Sequence, residues 1–437
     1  MHLHPVVDQT IQSVPLGPLA AIVYVAVLVG AVFMTKRRPI VGVCLLVVLQ
    51  PFAYYANIFG TTITLPKVAL VGVLLGCVSY SGSIRVLQER TASRILLAAM
   101  LVAAATVLSV LHAMHKGAAL REVLKIVEYI VLFATVYVAY RFEPNRDLVR
   151  AAAIGVTIVV ALAALSQEII GAPSGLFING HPIPRIAGPL EGPNQLAGYF
   201  DISIPLLFAY CIERSEPYVH LALALAVFAD LLTFSRSGAI AALIAIAIVA
   251  IVWRKRELRD AFVYTGVGLA CGAGVALIWG IIAHSGAVAR FLTLKESHYA
   301  GGVGTRSQLW PAAIKLWLRH PIFGVGAGNF ELELPLVGLH GIRTHANSLY
   351  LQALVEGGLP QIAATLFLVY TSIAAFFRER GQSALVLGAF AASIALAVHQ
   401  IDDYLIFYPK IGGWWWIVLA LGAAELAHAR RTAPECA

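Results

Sequence analysis

An all-α, polytopic integral membrane fold of about 12 transmembrane helices follows from three observations on the sequence. Apolar residues make up 59% of the 437 residues and charged ones only 12%, against about 25% charged in a soluble domain. The apolar residues come in runs close to the ~20 that cross a bilayer. Lys and Arg cluster in every second connection between those runs, as the positive-inside rule requires.

The runs fall at 17–34, 39–56, 64–80, 95–112, 121–140, 147–167, 195–212, 218–234, 238–253, 261–283, 358–377, 383–400 and 412–428. The basic connections hold Lys36 to Arg38, Arg85 to Arg94, Arg141 to Arg150, Arg214, Arg254 to Arg256, Arg378 with Arg380, and Arg430 with Arg431. These read as cytoplasmic. The others are then external: 57–63, 113–120, 166–194, 233–238, 284–357 and 399–411, with the N-terminus outside and the C-terminus inside. The first residues lack a basic n-region, so the first run reads as a retained helix. No repeat or linker divides the chain, and 1–437 forms one domain.

More than half of the 31 Lys and Arg sit in those orienting turns. No basic stripe with interleaved aromatics is left for nucleic acid. Four of the five Cys lie in apolar runs and one near the C-terminus, with no CxxC, so they read as small core residues rather than a disulfide framework.

The long external loop 284–357 departs from the rest. Between Arg290 and His345 it carries six basic residues (Arg290, Lys295, Arg306, Lys315, Arg319, Arg343) against three acids. Translocated loops normally run short of Lys and Arg, which points to an anionic ligand. Leu309, Ala312, Ala313, Leu316 and Trp317 repeat at helical spacing, predicting an amphipathic helix over 306–320 on the membrane surface. HPIFGVGAGNF then breaks it, and a second helix is predicted from Ala346 or Asn347 to Gly358.

Four sites carry candidate chemistry, each with a plainer alternative. Arg185 and Asn194 lie in a Pro/Gly-rich external loop that otherwise only turns the chain. Arg236, in TFSRSG, stands at a membrane edge, where a charge needs a partner, a ligand or a path to the interface. Arg306 opens the amphipathic helix and can bond phosphate in two-pronged fashion, or serve as an interfacial anchor. His345 precedes the second helix, with Asn347 close behind, and is either a base or a structural hydrogen-bonder. His340 is weaker, in a Gly-flanked turn. GxxxxGK[ST], GxSxG and HExxH are absent. Asp402 and Asp403 are the adjacent external carboxylates, and neighbours on a helix diverge too far to share a metal. Lys125 and Glu128 lie at i, i+3 in an apolar run, where a mutual ion pair is the simplest account.

RSQLW from Arg306, HPIFGVGAGNF from His320 and HANSLYLQALVEGGLP from His345 together resemble the O-antigen ligase/polymerase superfamily of bacterial envelopes. PNQLAGYF from Pro193 and SRSG from Ser235 are similar to two further segments of that family. Where many members have His and Asn adjacent, this chain reads His345-Ala346-Asn347. The resemblance implies glycosyl transfer outside the inner membrane from an undecaprenyl-diphosphate-linked glycan, with lipid A-core as acceptor and loop 284–357 as the catalytic insertion. It implies Arg236 and Arg306 at the diphosphate, Arg185 in support, and His345 as general base. Asn194, Trp310, Asn347 and His340 are the further substrate contacts. Arginines neutralise a leaving diphosphate without a metal, a histidine suits proton removal from a hydroxyl, and attack opposite the diphosphate inverts the anomeric centre. No cofactor is implied; the implied partners are donor, acceptor and bilayer. An O-antigen polymerase, a protein O-oligosaccharyltransferase and, from another class, a lipid-linked glycan transporter remain the rival readings. Transport predicts charges in mid-helix and broken helices in matching halves, whereas the charges here gather at external ends.

Overall fold

The computed structural model describes residues 13–58, 61–80, 82–172, 174–178, 181–253 and 306–432. The predicted run 261–283, the 254–256 basic cluster, and Arg290, Lys295 and Glu296 lie outside them.

The helices are α1 (Ala20–Arg37), α2 (Pro39–Leu49), α3 (Leu65–Val78), α4 (Arg90–Val110), α5 (Lys116–Phe142), α6 (Arg146–Ile170), α7 (Pro193–Glu213), α8 (Pro217–Thr233) and α9 (Arg236–Val252). Then come α10 (Arg306–Arg319), α11 (Leu349–Phe377), α12 (Ala384–His399) and α13 (Pro409–Thr432). Of these, α1, α4, α5, α6, α7 and α11 are long and apolar enough to cross a membrane; α2, α3, α8, α9 and α12 are apolar but shorter. This is a helical, multi-pass membrane architecture.

Short strands occupy two connections. β1 (Ser13–Pro15) pairs parallel to β2 (Ala53–Ile58), which pairs antiparallel to β3 (Thr61–Thr64); β4 (Ser174–Ile178) and β5 (His181–Arg185) form a hairpin. The predicted run 39–56 therefore divides. Its helix stops at Leu49, before Pro51, and Gln50 turns inward to donate from Nε2 to the Pro409 carbonyl at 2.7 Å.

The core is centred on α7, whose apolar window is 94% buried, against 17% for α1. It packs on α8, α9 and α12. Gly388 of α12 faces Leu206 so closely that a Cβ would lie 2.8 Å from the Leu206 Cα. Polar residues cross-link this core: Trp414 Nε1 donates to Ser203 Oγ at 3.0 Å, and His399 Nδ1 lies 2.5 Å from Asp201 Oδ2. Asp201 stands two turns inside α7 and is fully buried, so ionisable groups are not confined to external ends. Apolar side chains of the outer helices, among them Val25, Met100, Leu124 and Leu162, are left exposed in a belt suited to lipid.

Basic connections that are far apart in sequence meet at one end of the bundle. Arg38 pairs with Glu143, Arg141 and Arg431 share Glu89, Arg150 reaches Glu216, and Arg214 meets Asp147. The expected Lys125–Glu128 pair does not form. Lys125 instead bonds Glu122 at 2.8 Å, one turn earlier, and Glu128 pairs with Lys67 of α3 at 3.0 Å, because Lys67 comes from a neighbouring helix that the spacing within one run cannot reveal.

At the opposite end the loop 320–348 is clamped down. Val325 and Gly326 N–H groups donate to the Val355 and Glu356 carbonyls, both at 2.9 Å. Gly326, at φ +98°, leaves 2.5 Å between a would-be Cβ and that of Ala113. Asn329 accepts from the His115 N–H at 2.8 Å, and the Ala327 N–H donates to Ser109 Oγ at 3.1 Å. The glycine-rich motif is thus the staple that holds the loop on the ends of α4 and α5.

Candidate functional site

Helix α10 forms as its spacing predicts, but its apolar face has another use. Leu309, Ala312, Ala313 and Leu316 are buried with Val325, Phe330, Leu334 and Val355 in a small core of the loop's own. The face expected to rest on the membrane is covered by protein, and this fixes Arg306 at the first turn. The second helix starts later than predicted. Asn347 adopts a left-handed backbone (φ 48°), and Ser348 caps α11 by accepting from the Leu351 N–H at 3.4 Å. Beyond it, α11 breaks at Gly358, where φ is 63°, and runs on into the membrane.

Four of the sequence motifs converge on the short segment between α12 and α13. Arg306 Nε donates to the Asp402 carbonyl at 2.6 Å, and its Nη2 lies 3.9 Å from Asp403 Oδ2 and 4.0 Å from Asp402 Oδ2. Asn194 Nδ2 donates to Asp403 Oδ2 at 2.8 Å, and Arg185 Nη2 donates to Asn194 Oδ1 at 2.8 Å. Arg185 Nε also caps the end of α8 by donating to the Thr233 carbonyl at 2.7 Å. Ser237 Oγ donates to Asp402 Oδ2 at 2.7 Å. Its neighbour Arg236 is exposed and makes no side-chain bond among the described residues. Gly238 follows from this crowding: a Cβ there would lie 2.6 Å from that of Ala197.

His345 lies against the same segment. Its Nε2 is 3.0 Å from the Tyr408 hydroxyl, the donor depending on the tautomer. The rings of Tyr404, Phe407 and Tyr408 surround it at 5.6, 5.5 and 5.9 Å. Burial among these rings lowers its pKa below the ordinary histidine value. Asp403 acts the other way, while Lys125 and Arg306 reinforce the lowering and Asn347 opposes it. The ring is therefore held neutral, as a proton acceptor must be. Burial likewise raises the Tyr408 phenol, keeping it a neutral hydrogen-bonding partner.

The remaining candidates are placed differently. Trp310 has a buried indole N–H with no acceptor among the described residues. His340 is exposed in the loop and makes no hydrogen bond or ion pair among the described residues. What the sequence does not reveal is the role of this segment: Asp402 and Asp403 hold the cationic side, and Tyr404, Phe407 and Tyr408 hold His345. A pair of acids followed by three aromatics in a short connection is the signal that was available.

On its other face this aromatic group lines a cavity of about 250 Å³, walled by Phe407, Tyr408, Lys67, Lys125, Lys410 and Glu191. Lys125 Nζ sits 4.0 Å above the Phe407 ring.

Residues 221–366 match the O-antigen ligase family model. That stretch is similar to the O-antigen ligase family, in keeping with the motifs that resemble the O-antigen ligase/polymerase superfamily. The match spans about a third of the chain and takes in Arg236, Arg306, Trp310, His340 and His345. Arg185, Asn194 and the Asp402 to Tyr408 segment fall outside it and join the site only through folding. No curated protein matches the chain significantly. The family points to glycosyl transfer of ligase or polymerase type, on lipid-linked glycan at a membrane.

Proposed function

We propose that the protein transfers a glycan from an undecaprenyl-diphosphate carrier to lipid A-core oligosaccharide. The reaction takes place on the periplasmic side of the inner membrane, with inversion and without a metal. The observation that carries this reading is that a guanidinium, Arg306, and a neutral imidazole, His345, are both held by one short segment, at Asp402 and at Tyr408. Such a pairing suits a reaction in which one substrate loses a proton and the other releases a diphosphate.

The acceptor hydroxyl gives its proton to the His345 ring, and its oxygen bonds to the anomeric carbon. The bond from that carbon to the diphosphate oxygen breaks on the opposite face, and its electron pair leaves with the carrier. Arg306 neutralises the charge that develops there, and Arg236, unpaired among the described residues, adds to it. The Trp310 N–H is a further donor for the departing oxygens. Arg185 and Asn194 keep Asp403 in place and so hold the Arg306 side of the site. The polyprenyl chain stays in the bilayer while the glycan remains in water. The 250 Å³ cavity shares the walls Phe407 and Tyr408 with His345, which suits an acceptor approaching from that flank.

The deciding assay mixes purified protein with lipid-linked glycan and either lipid A-core or a second lipid-linked glycan, and resolves products by size. Transfer to lipid A-core supports the proposal. Lengthening of the lipid-linked glycan alone assigns a polymerase, and no transfer to either acceptor removes both readings.

A further inference from the structure

A second basic pocket lies at the opposite end of the bundle, where α4 begins and α11 and α13 end. It is a concavity of about 620 Å³, and its charged lining is Arg90, Arg94, Arg378 and Arg430 with one acid, Glu379. Several arginines of this end are neutralised by a carboxylate: Arg38, Arg141, Arg150, Arg214 and Arg431. Arg430 is paired too, with Glu379. Arg90, Arg94 and Arg378 are exposed and meet no acid among the described residues. Three unneutralised guanidinium groups around one concavity form a site for an anion.

The pocket changes character along its length. On α4, Arg90, Arg94 and Leu97 follow at i, i+4 and i+7, one face of the helix. Arg378, which caps the end of α11, sits at the rim, and Ala374, Tyr370 and Phe367 of that helix continue the same face inward. Eleven residues at about 1.5 Å each carry that face roughly 16 Å from the rim. Phe367 and Tyr370 are 40% and 67% exposed, apolar surface that no protein covers. A cationic mouth leading into an apolar groove has the polarity of a phospholipid: phosphate at the arginines, one acyl chain along Leu97, Phe367 and Tyr370.

We infer that this pocket binds an anionic glycerophospholipid of the leaflet at that end, at a site separate from Arg306 and His345. Basic pockets between transmembrane helices on the cytoplasmic side are suited to such headgroups. The inference does not depend on the proposed glycosyl transfer.

Native mass spectrometry of the full chain in detergent tests it, with dioleoyl phosphatidylglycerol titrated against dioleoyl phosphatidylcholine. One phosphatidylglycerol should bind in preference. The double variant Arg94→Gln, Arg378→Gln should bind it about 25-fold more weakly, at about fivefold per arginine. Arg94→Lys with Arg378→Lys should retain most of the affinity and show that the fold survives change at these positions. Arg38→Gln with Arg214→Gln, which alters paired arginines of the same end, should bind normally. Equal binding of both lipids, or undiminished binding by the glutamine variant, overturns the inference. Displacement of the lipid by millimolar inorganic phosphate overturns it as well, since the site would then read a soluble anion.

Discussion

Arg306 Nε donates to the main-chain carbonyl of Asp402 at 2.6 Å, across 96 residues of sequence. The bond fixes the plane of the guanidinium and leaves the outer edge of the fork without a short bond, since Nη2 approaches the two carboxylates only to 3.9 and 4.0 Å. An arginine that merely snorkelled to the interface would not need this oriented hold.

Arg306→Lys should therefore lose about 10²-fold in turnover although the charge is kept. Lysine has no Nε–H to give to Asp402 and binds a diphosphate as a point charge. Near wild-type turnover in the lysine variant would make Arg306 an anchor only.

Activity should survive EDTA. Asp402 and Asp403 are the acids nearest Arg306, but Ser237, Asn194 and the Tyr404 N–H already occupy three of their four oxygens, which leaves Asp402 Oδ1 alone without a partner among the described residues. Loss of turnover on chelation, restored by Mg²⁺, would show that these carboxylates exchange their present partners for a cation.

The staple can be tested through its glycine. Gly326→Ala places a Cβ about where the Ala113 side chain already stands, on a backbone at φ +98°, and should destabilise the protein by about 2 kcal/mol or more. Gly338→Ala is the control, with φ +88° and nothing within 4 Å of the added Cβ; it carries the backbone strain alone. Thermal unfolding in detergent should rank Gly326→Ala clearly below Gly338→Ala. Equal midpoints would mean that the loop yields to the added methyl group.

Hydropathy made the helices legible because a bilayer demands long apolar runs, and α5, α6 and α7 begin and end within a few residues of the predicted limits. The candidate site was legible where chemistry is unusual for its place, as with a basic residue in a loop that the charge pattern predicts to be external. Arg306 and His345 stand out for that reason. Their supports did not stand out, because the Asp402 to Tyr408 segment acquires its role only when α12 and α13 bring it beside α10 and α11. Lys125 shows the same limit: local spacing offers two acids one turn away on either side, and only the approach of Lys67 to Glu128 decides between them. The cover over the apolar face of α10 is likewise a tertiary fact, since a pattern of period 3.6 does not say whether lipid or protein will bury it.

His345 carries the test on which the proposed mechanism depends. If its ring takes the proton of the acceptor hydroxyl, His345→Ala should lower turnover by about 10²–10⁴-fold, the usual contribution of a placed general base. Donor binding should be nearly unchanged, because Arg306 is held by Asp402 and not by His345. The ring must be neutral to act, so activity falls on the acid side as pH drops through its pKa. Burial lowers that pKa, and the acid limb should therefore lie below the ordinary histidine value of about 6.5, with full activity retained at neutral pH. Tyr408→Phe removes the 3.0 Å contact with Nε2 while keeping the aromatic wall, and should shift the limb without abolishing turnover. In the residual activity of His345→Ala the limb should be gone. An unchanged acid limb in that variant, or loss of donor binding, would reassign His345 to structure and leave the exposed His340, five residues earlier, as the histidine to examine next.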